Sequence, residues 1–133
     1  MGLANFWKRQ PTRQNAALPD MVLPTSGRPV IAALAGDLAG RIYPASTGGI
    51  MLGRDKVACR IVFPGDTRGV SRHHCIITYM PQAGLFIIND IGSTYGTFLI
   101  DGKRIDKGQP ATLQAGSRFY LGSVKNLFEV RFD

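Results

Sequence analysis

Acidic residues are scarce in this 133-residue chain: nine Asp and Glu stand against sixteen Lys and Arg, a formal net charge of +7. Cysteine is scarcer still, at two residues. With no secretory leader beside them, that pair excludes a disulfide-built scaffold, and a reducing, cytoplasmic setting is expected. No apolar run approaches the roughly 18 residues that cross a bilayer as a helix. The opening Met1-Gly2-Leu3-Ala4-Asn5-Phe6 lacks the basic start and long apolar stretch of a signal peptide. Phe6 also stands where the N-myristoylation pattern requires Ser or Thr. Internal repeats are missing, and beyond residue 28 no stretch carries a helical period. The nearest, Ala32-Ala33-Leu34-Ala35, is cut short by Gly36. The basic surplus points to an anionic partner without saying which anion.

What is present is turns and short apolar runs. Sixteen Gly and eight Pro punctuate the chain. Residues 1–28 are Pro-, Gln- and Asn-rich, and Lys8, Arg9, Arg13 and Arg28 against Asp20 make them basic. That composition predicts a flexible tail or linker. From residue 29 to 133 the runs are Val30–Leu34, Arg41–Tyr43, Ile50–Leu52, Ile61–Phe63, Cys75–Met80, Leu85–Ile88, Phe98–Ile100, Lys103–Ile105, Ala111–Leu113, Arg118–Leu121 and Leu127–Phe132. Asp101-Gly102 is a strong hairpin signal, and Pro81–Gly84 is a four-residue hairpin loop. Short runs at this spacing predict an all-β domain, an antiparallel β-sandwich of about eleven strands. Phe63, Tyr79, Phe86, Phe98, Phe119, Phe128 and Phe132 alternate with polar residues as core strands do.

The polar residues that turns do not explain lie at strand ends. Gly53-Arg54 follows one strand, Ser71-Arg72-His73-His74 precedes another, and Gly92-Ser93-Thr94-Tyr95-Gly96-Thr97 joins two more. Loops at one end of a sandwich converge although they are distant in sequence. Arginine offers a planar fork of donors matched to phosphate oxygens, and hydroxyls and loop amides complete such a site. Nothing in these loops resembles an acid–base pair. The cluster is suited to holding a dianion, not to transforming one.

The strings Leu52-Gly53-Arg54, Val70-Ser71-Arg72-His73-His74 and Asn89-Asp90-Ile91-Gly92-Ser93-Thr94-Tyr95-Gly96-Thr97 resemble, in order and spacing, those of a forkhead-associated (FHA) domain. Asp101-Gly102-Lys103, Leu113-Gln114-Ala115-Gly116 and Tyr120-Leu121-Gly122 extend the resemblance toward the C-terminus. It implies an eleven-strand sandwich that binds phosphothreonine in peptides. It would make Arg54 and Ser71 phosphate ligands, Arg72 a further polar contact, and Thr94 a wall of the site. His74 would brace the loops, with Gly53, Gly92, Gly96 and Thr97 shaping the turns. Tyr95 departs from the family pattern, which has Asn there to hold the ligand backbone. A phosphothreonine-bearing protein, itself a Ser/Thr kinase substrate, is the partner this implies.

Other chemistries fit less well. Ser71 with His74 invites a nucleophile reading, but the Gly-x-Ser-x-Gly elbow is missing, so no enzyme is expected. Cys59, His73, His74 and Cys75 follow no zinc spacing, and neighbours on a strand face opposite ways, so neither metal nor cofactor is expected. Gly92-x-x-x-Gly96 lacks the Lys-Ser/Thr ending of a phosphate-binding loop. Two alternatives stay open: a phosphate-independent interaction module, motivated by Tyr95, and a basic nucleic-acid binder, although a nucleic-acid partner is not expected.

Overall fold

A computed structural model describes residues 27–133, so the tail read from residues 1–28 lies outside the described residues apart from Gly27 and Arg28. Among the described residues eleven strands follow one another: β1 (Pro29–Ala33), β2 (Ile42–Pro44), β3 (Ile50–Gly53), β4 (Ile61–Val62), β5 (Cys75–Met80), β6 (Leu85–Asp90), β7 (Thr97–Leu99), β8 (Arg104–Ile105), β9 (Ala111–Leu113), β10 (Arg118–Leu121) and β11 (Leu127–Phe132). They form two sheets, one ordered β9-β6-β5-β3-β4 and the other β2-β1-β11-β10-β7-β8. All pairings are antiparallel except β3 with β4, where Leu52 lies beside Ile61 and Gly53 beside Val62. Arg28 continues β1 backward, since its amide donates to Asp133 and its carbonyl accepts from Asp133, at 2.7 and 2.9 Å.

Alternation builds the core. On β6, Phe86, Ile88 and Asp90 are buried while Leu85, Ile87 and Asn89 are half-exposed. That is the period of two expected when one face of a strand packs inward. Phe119 stacks on Phe128 with centroids 5.4 Å apart, and Phe63 meets Phe128 edge-on at 5.8 Å. Tyr79, Phe86 and Phe132 form a second aromatic group. Phe98 departs from the core reading of its sequence. It lies on the outer face, stacked on Tyr120 at 5.1 Å, with the Arg104 guanidinium 5.9 Å from its ring. The inward positions of β7 belong to its neighbours, Thr97 and Leu99.

Register brings the loops together. β5 runs antiparallel to both β3 and β6, so Leu52, Cys75 and Asp90 share one row. The end of β3, the start of β5 and the end of β6 therefore coincide. Across the sandwich, Thr97 at the start of β7 pairs with Leu121 at the end of β10.

Candidate functional site

Three loops meet at this end, and backbone hydrogen bonds set their spacing. The Arg54 amide donates to the Ser71 carbonyl at 3.2 Å, and the Asp55 amide donates to the Arg72 carbonyl at 3.1 Å. Gly53 makes this approach possible: an added Cβ would lie 2.1 Å from the Arg72 oxygen. No side chain fits there.

Arg54 is held by backbone acceptors. Its Nε donates to the Val70 carbonyl at 2.7 Å and its Nη1 to the Gly65 carbonyl at 2.8 Å. A guanidinium has five N–H groups, so three remain for a ligand. The anchoring fixes the fork before anything binds, which limits the entropy lost on binding.

Ser71 is fixed differently. Its hydroxyl oxygen accepts from the Thr94 amide at 3.0 Å, which leaves its O–H free to donate. Its amide donates to Nδ1 of His74 at 3.0 Å. The other ring nitrogen of His74, Nε2, donates to the Gly96 carbonyl at 2.9 Å. A carbonyl can only accept, and a ring nitrogen that receives an amide carries no proton. His74 is therefore the neutral Nε2–H tautomer, and burial lowers its pKa in the same direction. With both nitrogens committed to backbone, it cannot serve Ser71 as a base.

The 92–97 turn is organised by Asp90, which the sequence reading did not assign to the site. Its carboxylate accepts from the Gly92 amide at 2.8 Å, the Ser93 amide at 3.0 Å, the Ser93 hydroxyl and the Thr97 hydroxyl at 2.7 Å. Burial raises the Asp90 pKa, but the bonds from Ser93, Thr97 and Gly92 outweigh it and the net shift is downward. Ser93 then receives the Gly96 amide on its hydroxyl at 3.0 Å. The signal was available: Asp90 falls on the inward parity of β6, and Asp-x-Gly-Ser is an Asx-turn pattern. Gly96 has φ of 94°, a conformation that disfavours any residue with a side chain. Its Cβ would also meet the Phe98 ring at 2.9 Å.

Asp55 is a second unassigned carboxylate. It caps its own loop through the Val57 amide at 2.9 Å and takes His73 Nε2 at 2.7 Å. The His73 bond is the main cause of its lowered pKa. Arg72 leans the same way, with Nη2 3.7 Å from Asp55, and its side chain is 71% exposed.

Among the sequence candidates, Arg54 and Tyr95 line one open groove of about 560 Å³ with Asp66, Thr67, Arg68 and Val70. Ser71 and Thr94 are joined beside it by their hydrogen bond, and Thr94 is exposed. Arg72 sits next to this group but is engaged with Asp55. Gly53, His74, Gly96 and Thr97 are buried beneath the loops. Cys59 and Cys75 are buried thiols whose pKa burial pushes upward. Among the described residues, no group of three or more His, Cys, Asp or Glu is placed to hold a metal ion, and no helix is long and apolar enough to cross a membrane.

Comparison with known proteins agrees with this geometry. The FHA domain family model matches residues 50–122. Among solved structures, the FHA domain of a Chlamydia trachomatis protein is similar at 25% identity and TM-score 0.66, covering 80% of this chain and 98% of that one. A structure from a study of phosphothreonine-dependent FHA domain interactions aligns at 25% identity and TM-score 0.63, covering 80% and 97%. The FHA domain of an Arabidopsis thaliana protein has the same fold at 23% identity and TM-score 0.67, covering 81% and 87%. No curated protein matches by sequence.

Proposed function

Because this chain belongs to the FHA domain family, we propose that it binds phosphothreonine in a partner protein, so that phosphorylation of that partner by a Ser/Thr kinase leads to recruitment. One observation carries the reading. Arg54 is anchored on Val70 and Gly65 with N–H groups to spare, and the Arg54 amide is tied to the loop that presents the free Ser71 hydroxyl. Phosphothreonine carries about −1.5 to −2 charge and three acceptor oxygens at neutral pH. The Arg54 fork, the Ser71 hydroxyl and exposed loop donors around Thr94 meet those needs, and Arg72 adds charge once it leaves Asp55.

The family setting supports the same reading. One similar structure concerns phosphothreonine-dependent interactions, and another, 26% identical, is an FHA domain complexed with the intracellular domain of a second protein. Titration of the chain with one peptide in phosphothreonine and unmodified forms tests the reading. Preference for the phosphorylated form that collapses in Arg54→Ala supports it, and equal affinity for both forms refutes it.

Tyr95 supports a second reading, a phosphate-independent interaction module. Tyr95 stands 63% exposed where the family pattern has a polar amide. A true partner bound equally well with and without phosphate would favour it. A nucleic-acid role would show as affinity falling steeply with salt.

A further inference from the structure

The groove beside Arg54 carries charge of both signs. Asp66 lines it opposite in sign to the phosphate-binding arginine, is exposed, and forms no ion pair or side-chain hydrogen bond with any described residue. The nearby carboxylates Asp90, Asp55 and Asp37 are committed. Asp90 serves the 92–97 turn, Asp55 serves Val57 and His73, and Asp37 accepts the Thr67 hydroxyl at 2.6 Å. Tyr95 lines the same groove and presents its ring to solvent. A carboxylate that pairs with nothing, beside an exposed aromatic face, is the complement of a guanidinium or ammonium. The ring attracts the cation through its quadrupole and the carboxylate through its charge. A phosphodianion is repelled by the carboxylate and gains nothing from the face of the ring.

We propose that Tyr95 and Asp66 form a cation subsite that selects phosphothreonine peptides carrying Arg or Lys close to the phosphorylated residue. The proposal rests on the phosphothreonine reading above. It gives Tyr95, the position where this chain departs from its family, a cation–π contact that an amide side chain cannot make. Arg68 also lines the groove, but it belongs equally to the wall of a neighbouring depression formed with Asp37, Ser123 and Lys125. A bound peptide would thus meet a cationic side, Arg54 with Ser71, and a side that accepts cations, Tyr95 with Asp66.

The test is a peptide array on the full 133-residue chain, in which every peptide carries phosphothreonine and each flanking position is in turn Ala, Arg, Lys, Leu or Glu. The reading variable is the affinity ratio of the best Arg peptide to its Ala counterpart. An exposed cation–π contact and an exposed ion pair together predict a ratio of about 5 to 10. The ratio should fall with added salt, by screening. Asp66→Asn and Tyr95→Ala should each reduce it to about 2 to 3, while Tyr95→Phe, which keeps the ring, should preserve most of it. A ratio near 1 at every position, a preference for Leu over Arg, or a ratio unchanged in both Asp66→Asn and Tyr95→Ala would overturn the proposal while leaving phosphothreonine binding intact. Failure of every phosphopeptide to bind more tightly than its unphosphorylated form would instead remove the reading beneath it, and the subsite with it.

Discussion

Ser71 receives the Thr94 amide on its hydroxyl oxygen at 3.0 Å, across 23 residues of sequence. One side chain thereby does two things. It fastens the loop before β5 to the turn before β7, and its O–H stays free to donate. Ser71→Ala removes both. Loss of a hydrogen bond to a charged group costs about 1.5–3 kcal/mol, so phosphopeptide affinity should drop by roughly 10- to 150-fold. Because the site is at the surface, the melting temperature should move by only a few degrees. Calorimetric titration and a thermal melt separate the two effects.

His74 serves the scaffold. It is fully buried, and its imidazole joins the Ser71 amide to the Gly96 carbonyl. Burial lowers its folded pKa from the usual 6.5, so the unfolded chain takes up the proton more readily. Its contribution is complete above about pH 6.5 and is lost as pH falls through the folded value. The melting temperature should therefore decline on going from pH 7.5 to pH 5. His74→Gln should melt lower at pH 7.5 and lose most of that slope; an unchanged slope would mean that another group titrates.

Asp90 should matter more for folding than for binding. Four donors converge on its carboxylate, and Asn offers one oxygen and an amide that points the wrong sign at the rest. Asp90→Asn should destabilise the domain by about 1.5–3 kcal/mol, the range for a hydrogen bond to a charge. Denaturant unfolding measures this directly. Since the Asp90 pKa is lowered from 3.8, its stabilisation is full above that value and is lost below it, a second and more acidic limb of the pH profile.

Gly53→Ala tests the close approach of β3 to the loop before β5. A methyl group 2.1 Å from the Arg72 oxygen forces the backbone apart and weakens the Arg54–Ser71 amide bond. Overpacking of this kind costs about 1–3 kcal/mol. Stability and phosphopeptide affinity should fall together, which distinguishes this variant from Ser71→Ala.

Much of this was legible in the sequence. All eleven runs are strands, and the Asp101-Gly102 turn forms as its residues require, with Gly102 at φ 94° and its amide on the Leu99 carbonyl at 2.8 Å. The convergence of Arg54, Ser71 and Thr94 followed from their places at strand ends. Partners set by tertiary approach were not legible. Val70 and Gly65 hold Arg54 through carbonyls, which every residue possesses, so no residue type announces them. The parallel β3–β4 pairing joins only two residues on each strand, too few to leave a pattern. Phe98 differs from the core expectation because an aromatic at a strand position fits either face, and Thr97, whose hydroxyl donates to Asp90, takes the inward one.

The central claim is tested most directly by titrating the chain with a phosphothreonine peptide and its unphosphorylated twin, for wild type and Arg54→Ala. The free Arg54 donors are worth at least one charge-assisted hydrogen bond, so wild type should prefer the phosphopeptide by roughly tenfold or more, and Arg54→Ala should lose that preference with its fold intact. Equal binding of the two peptides by wild type, or an undiminished preference in Arg54→Ala, would contradict the account.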